Sequence, residues 1–156
     1  MKYKIFILFL IFTSCNGTSK YEYNNNFSVY CSTDFDKIDL QAQTLTRQYL
    51  EGEKIVHFEL TEIDKKYLFD LLIDKEIWTI RKTDLEDTCD NWIEPSNSFS
   101  LKIQMTKDEN FKFYWRESLC SIPRMNQLEE FVHELYRILE KDEKIKVLSR
   151  TDILTM

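Results

Sequence analysis

Two histidines, four cysteines and 27 carboxylates are the side chains with which this 156-residue chain would ordinarily do chemistry. His57 sits in an alternating stretch beside Glu59, the arrangement of a general base oriented by a carboxylate. No nucleophile is tied to it by spacing. His133 opens the run His-Glu-Leu-Tyr-Arg, which begins like the helical zinc motif HExxH. Arg137 stands where the second histidine belongs, and a guanidinium cannot ligand zinc. Asp84, Glu86, Asp87, Asp90 and Glu94 collect oxygen donors in one stretch, but without EF-hand spacing or its glycine they read as a solvated loop. With so many acids, a carboxylate pair at a glycosidase-like separation is bound to exist and carries no information alone. No CxxC occurs, and the Cys and His residues lack zinc-like spacing. With only two glycines and two prolines there is no glycine-rich phosphate cradle. These residues assign no catalytic group, metal or cofactor. A hydrolase using His57 or His133 with scattered carboxylates stands as the alternative to a non-catalytic binding module.

The N-terminal residues have a clearer pattern. Lys2 and Lys4 supply a positive start, Ile5 to Phe12 form an unbroken apolar run, and Thr13-Ser14 place small residues before Cys15. Eight apolar residues are too few to cross a hydrocarbon core, which needs about 20 in a helix, but they suit the core of a cleaved export signal. The pattern resembles the signal peptide and lipobox of bacterial lipoproteins. That resemblance implies a diacylglyceryl group on the Cys15 sulfur and cleavage just before it. Residues 1–14 are then the signal peptide. The chain departs from the family at Phe12, where an aliphatic residue is usual; an ordinary cleaved signal with unmodified Cys15 is the rival reading. Each buried acyl methylene contributes about 0.8 kcal/mol, so the resemblance implies a protein anchored to the membrane rather than spanning it. Asn16 stands where some bacteria read aspartate as an inner-membrane retention signal, which favours the outer membrane, facing the periplasm or the cell surface.

Removing the leader leaves 142 residues, enough for one domain with a sizeable core. The leader holds two of the 21 basic residues and none of the acids, so its loss takes the formal charge from −6 to −8. That balance argues against a nucleic-acid partner, which calls for a basic footprint. Residues 15–26 are polar and turn-rich and read as a tether, 27–146 as one domain and 147–156 as a loosely docked tail.

Within the domain, Phe27 to Cys31 suggests a short strand. Asp39 to Leu50 and Lys54 to Leu60 suggest a hairpin turning at Glu51-Gly52-Glu53. Thr61 starts a helix with a capping-box-like Thr-Glu-Ile-Asp, and Ile63, Tyr67, Leu68, Leu71 and Leu72 mark its apolar face. Phe99, Leu101, Ile103 and Met105 alternate with polar residues, as do Phe111, Phe113 and Trp115. Folded about Asp108, they pair with Met105 facing Phe111, Ile103 facing Phe113 and Leu101 facing Trp115. Pro123 suits the first turn of a second helix, with Leu128, Phe131, Val132, Leu135, Ile138 and Leu139 toward the core. The expected fold is α+β in ββαββα order: an antiparallel sheet with two helices packed on one face.

Two site expectations follow from that arrangement. Extending the second hairpin places Cys120 near the turn of chain after Cys89, so a Cys89–Cys120 disulfide would close its base, contributing roughly 3–4 kcal/mol in the chain-entropy view. Pairing through Cys31, or three free thiols, are the other arrangements, and Cys31 is also the candidate for thiol redox chemistry. The second expectation is a patch on the uncovered sheet face. Lys102, Lys112, Tyr114 and Arg116 share it by alternation, with Arg47 and Tyr49 as further candidates. Basic and aromatic anchors on an acidic protein suit an acidic protein partner or a glycan.

Overall fold

Alternating apolar residues build a six-stranded sheet in the computed structural model, which describes residues 20–85, 97–116 and 122–148. Four strands come first: β1 (Ser28–Ser32), β2 (Asp36–Asp39), β3 (Thr44–Tyr49) and β4 (Gly52–His57). Helix α1 (Glu62–Asp74) follows, then two short 3-10 turns, β5 (Ser98–Gln104), β6 (Asn110–Arg116), helix α2 (Pro123–Leu139) and the single turn α3 (Glu143–Lys146). The strand order is β4-β3-β2-β1-β5-β6, with every neighbouring pair antiparallel. The fold is α+β. The expected ββαββα order is corrected to ββββαββα, followed by the single turn α3.

Turns without glycine or proline explain the difference. Asp39 Oδ1 accepts hydrogen bonds from the backbone N–H groups of Gln41 and Ala42, both at 2.9 Å, and Gln43 takes a positive φ of 52°. This side-chain-capped turn divides the stretch read as one strand from Asp39 to Leu50. Thr33 Oγ1 does the same between β1 and β2, accepting from Phe35 and Asp36 at 3.2 and 2.9 Å. In the next hairpin Tyr49 pairs with Gly52, so the turn is Leu50-Glu51 rather than 51–53. Gly52 has φ 129°, the one place here where glycine's freedom is required.

The β5–β6 hairpin forms, two residues out of the expected register. Ile103 faces Phe111, Leu101 faces Phe113 and Phe99 faces Trp115. The turn tightens at Met105, whose N–H donates to the Glu109 carbonyl at 3.0 Å, while Thr106 Oγ1 accepts from Glu109 N–H. Because side chains alternate with a period of two, this slip leaves every residue on its expected face.

Helix α1 is capped as its sequence suggests. Thr61 Oγ1 accepts from Asp64 N–H at 3.1 Å and its hydroxyl donates to Asp64 Oδ2 at 2.6 Å. Its buried face is Leu68, Phe69 and Leu72, however, and Ile63 is 81% exposed. Phe69, outside the expected apolar face, is buried in an edge-on aromatic cluster with Tyr23 and Phe27, residues far from it in the chain. In α2 all six expected core residues are buried, joined by Met125. Side chains of both helices belong to the same core as Val29, Cys31, Ile38, Leu45, Leu101, Ile103, Phe113 and Trp115 of the sheet. Lys141 bridges the end of α2 to Asp64 in the first turn of α1 at 2.7 Å. Burial would raise the Asp64 carboxyl, but hydrogen bonds from Lys141 and Thr61 outweigh it and hold the group below its ordinary value.

Within residues 20–26, read from the sequence as part of the tether, some side chains contact the domain while Lys20, Glu22, Asn25 and Asn26 are exposed. Tyr21 is buried edge-on to Trp78 and Phe111, and Asn24 donates to the Met105 carbonyl at 2.9 Å. At the other end Leu148 is buried, so packing continues past the expected start of the tail. The expected signal peptide, Cys15 and residues 149–156 lie outside the described residues, as do Cys89, Cys120 and the bridge expected between them.

Candidate functional site

Pleating gives the sheet two chemically different faces. The core face carries the rows Val56–Leu45–Ile38–Cys31–Leu101–Phe113 and Val29–Ile103–Phe111. The opposite face is polar apart from Ile55 on the β4 edge. One row runs His57–Thr44–Asp39–Tyr30–Lys102–Lys112, and the next runs Ile55–Thr46–Lys37–Ser32–Ser100–Tyr114. The four residues expected to cluster do so: Lys102, Lys112, Tyr114 and Arg116 are all exposed on this second face. Lys102 and Lys112 are directly opposite one another across β5 and β6. Two ammonium groups in register on one face repel, an arrangement that destabilises a sheet. Among the described residues neither lysine has an ion-pair partner.

At the upper end of the patch, Arg116 hydrogen-bonds the Tyr114 phenol, which with help from Ser98 lowers the Tyr114 pKa. Tyr114 is 62% exposed. Asp34 closes this end, its Oδ2 accepting from Ser98 N–H at 2.9 Å. At the lower end, Ser28, Tyr30, Asp39, Gln41, Lys102 and Gln104 enclose a concavity of about 310 Å³. Tyr30, Asp39 and Gln41 were not anticipated as part of the patch. The signal for Tyr30 was present, since it alternates between Val29 and Cys31, but its neighbour in space is set only by the β1–β5 pairing.

Arg47 and Tyr49 do not join this face. Arg47 pairs in register with Asp36, on the core side, and grips it in a bidentate ion pair: Nε to Oδ1 at 2.8 Å and Nη2 to Oδ2 at 2.7 Å. Asp36 is the only buried charged residue among those described. Tyr136 of α2 donates its hydroxyl to Asp36 Oδ2 at 3.0 Å. The bond to Asp36 raises the Arg47 pKa, and burial, reinforced by the same carboxylate, raises that of the Tyr136 phenol. Tyr49 is half-buried against the core. This is a structural cluster, largely buried.

The remaining candidates are dispersed. His57 is exposed on β4, four strand spacings from Lys102 and thus roughly 19 Å away along the sheet. His133 is exposed on α2 and borders an open cavity of about 830 Å³ together with the carboxylates Glu129, Glu130 and Glu134, which sets a histidine of the alternative hydrolase reading beside acids; its described lining contains no serine, threonine or cysteine. Cys31 is fully buried and unpaired. Burial, with a contribution from the Asp36 charge, pushes its thiol up to about 12, which argues against a role as a redox thiolate. Of the acidic stretch, Asp84 is engaged locally with Arg81, accepting from its N–H at 2.8 Å, and Glu86, Asp87, Asp90 and Glu94 lie outside the described residues. No metal-binding group of three His, Cys, Asp or Glu residues occurs among the described residues. Nor is any described helix long and apolar enough to cross a membrane.

Comparison with protein-family models, curated proteins and solved structures finds no match. The case for function therefore rests on the chemistry of the face itself.

Proposed function

We propose that this chain is a lipid-anchored binding module of the bacterial cell envelope, with no catalytic role, whose open sheet face receives an anionic partner. Residues 1–15 supply the address by their resemblance to a lipoprotein leader, with the lipid on Cys15. The face supplies the contact. The observation that carries the reading is the cross-strand pair Lys102 and Lys112, flanked by Tyr30 and Tyr114 and extended by Arg116. An anionic group seated between the two ammonium groups turns their repulsion into two favourable contacts, and the exposed phenols add amphipathic contact area at low entropic cost.

Titration of the isotopically labelled protein with oligo-glutamate, followed by amide chemical shifts, tests the reading. Shifts concentrated on β5 and β6 around Lys102, Lys112 and Tyr114, weakened by added salt and abolished in a Lys102→Glu, Lys112→Glu variant, are expected. Shifts that ignore this face, or survive the double reversal, would refute it.

A further inference from the structure

The geometry points to an acidic glycan as the anionic partner of this face, with its sugar ring seated in the concavity beside Tyr30. The inference rests on the binding role just proposed and specifies its ligand. A protein segment presents charge, apolar contact and one amide N–H and C=O per residue. A polysaccharide also presents many hydroxyls, each a donor and an acceptor, and the lower end of this face is built from groups that match them.

The Gln41 and Gln104 carboxamides each offer both a donor and an acceptor, as does the Ser28 hydroxyl, and Asp39 offers carboxylate oxygen. Among the described residues, no side-chain hydrogen bond occupies Gln41, Gln104 or Ser28. Asp39 Oδ1 is held by its own turn, which fixes the carboxylate in place rather than leaving it to swing. Tyr30, 37% exposed, stands between Asp39 and Lys102 in one row and presents a ring against which the C–H face of a pyranose can pack. At about 310 Å³ the concavity is at the small end of ligand pockets, the scale of one or two sugar units. A second polar cleft of about 170 Å³ shares Ser28, Gln41 and Gln104 and continues past Asn26, so a chain can run on from the first subsite. Lys102 belongs to the concavity and to the lysine pair alike. It therefore places a carboxylate substituent of the sugar against Lys112 while the ring hydroxyls meet the amides.

The test compares three probes on the full chain by calorimetry and amide shifts: a tetra-galacturonate, its neutral methyl ester, and oligo-glutamate of matched charge. The expected result is that the uronate binds most tightly, with shifts at Ser28, Tyr30, Gln41 and Gln104. Tyr30→Ala and Gln104→Ala should each weaken uronate binding at least tenfold, and Gln104→Ala should leave oligo-glutamate binding unchanged. Gln104 is only half-buried, so its variant keeps the test open if loss of Tyr30 disturbs folding. Oligo-glutamate binding as tightly as the uronate, or uronate binding that ignores both substitutions, overturns the glycan inference and leaves the anion-binding face standing. Failure of both charged probes overturns the two together.

Discussion

Replacing Arg47 with methionine strands the Asp36 carboxylate inside the core, and the size of the penalty follows from what remains around it. The Arg47 and Asp36 side chains are 16% and 8% exposed, so solvent screens the pair little. The guanidinium supplies two charge-assisted bonds, at 2.8 and 2.7 Å, and its removal leaves the carboxylate with the single phenolic bond from Tyr136. Removing one member of a buried pair costs about 3–5 kcal/mol, most of it the uncompensated charge. Tyr136→Phe removes one hydrogen bond to a charged group and should cost about 1.5–3 kcal/mol. The double variant Asp36→Leu, Arg47→Met removes both charges together and should recover most of the loss, because desolvating the pair was itself unfavourable. Urea unfolding of all four proteins, monitored by tryptophan fluorescence, measures this. A fall below 1 kcal/mol for Arg47→Met, or a double variant no more stable than the single, would refute the view that the cluster is a largely buried, desolvated ion pair.

Alkaline pH should destabilise the protein through Cys31. Its thiol is raised to about 12 in the fold, so the unfolded chain releases that proton first and stability declines as pH rises from about 9 toward 12. The loss is on the order of 4 kcal/mol across that window, and Cys31→Ala should flatten this part of the stability profile; an unchanged profile would count against a buried, protonated thiol. Lys112→Glu converts the repelling pair with Lys102 into an opposite-charge one, so denaturant titration should show a gain of about 0.2–1 kcal/mol while anion binding falls. A loss of stability would mean that the two lysines are not neighbours. Cys15→Ala should move the protein from the membrane to the soluble fraction of the producing cell and remove the acyl mass from the intact protein; membrane retention without acylation would defeat the anchor proposal.

How far the chain could be read from its residues varied with the range of the interaction. Thr61 as a helix cap, Pro123 at the head of α2 and the α2 core face depend on contacts within a few residues, and these were legible. So were the two faces of β5 and β6, because a period of two survives even the two-residue slip in their pairing. The turns at Asp39 and Thr33 were not, since side-chain oxygen capping replaces the glycine and proline that usually punctuate a chain. Tyr21 shows the same limit: a tyrosine in a polar stretch gives no local sign that Trp78 and Phe111 will enclose it.

The amino-acid order alone determined the class of fold, the placement of Lys102, Lys112, Tyr114 and Arg116 on one face, and the leader's resemblance to a lipoprotein signal. Each follows from periodicity or from a contiguous motif. Tertiary structure decided that Arg47 turns inward to Asp36, that Tyr30 and Asp39 stand beside Lys102, and that Cys31 is sealed. Those outcomes depend on which strand lies next to which, and β1 reaches β5 across more than sixty intervening residues. Pairing at that distance is selected by the burial of the whole core face at once, a collective energy that no local pattern records.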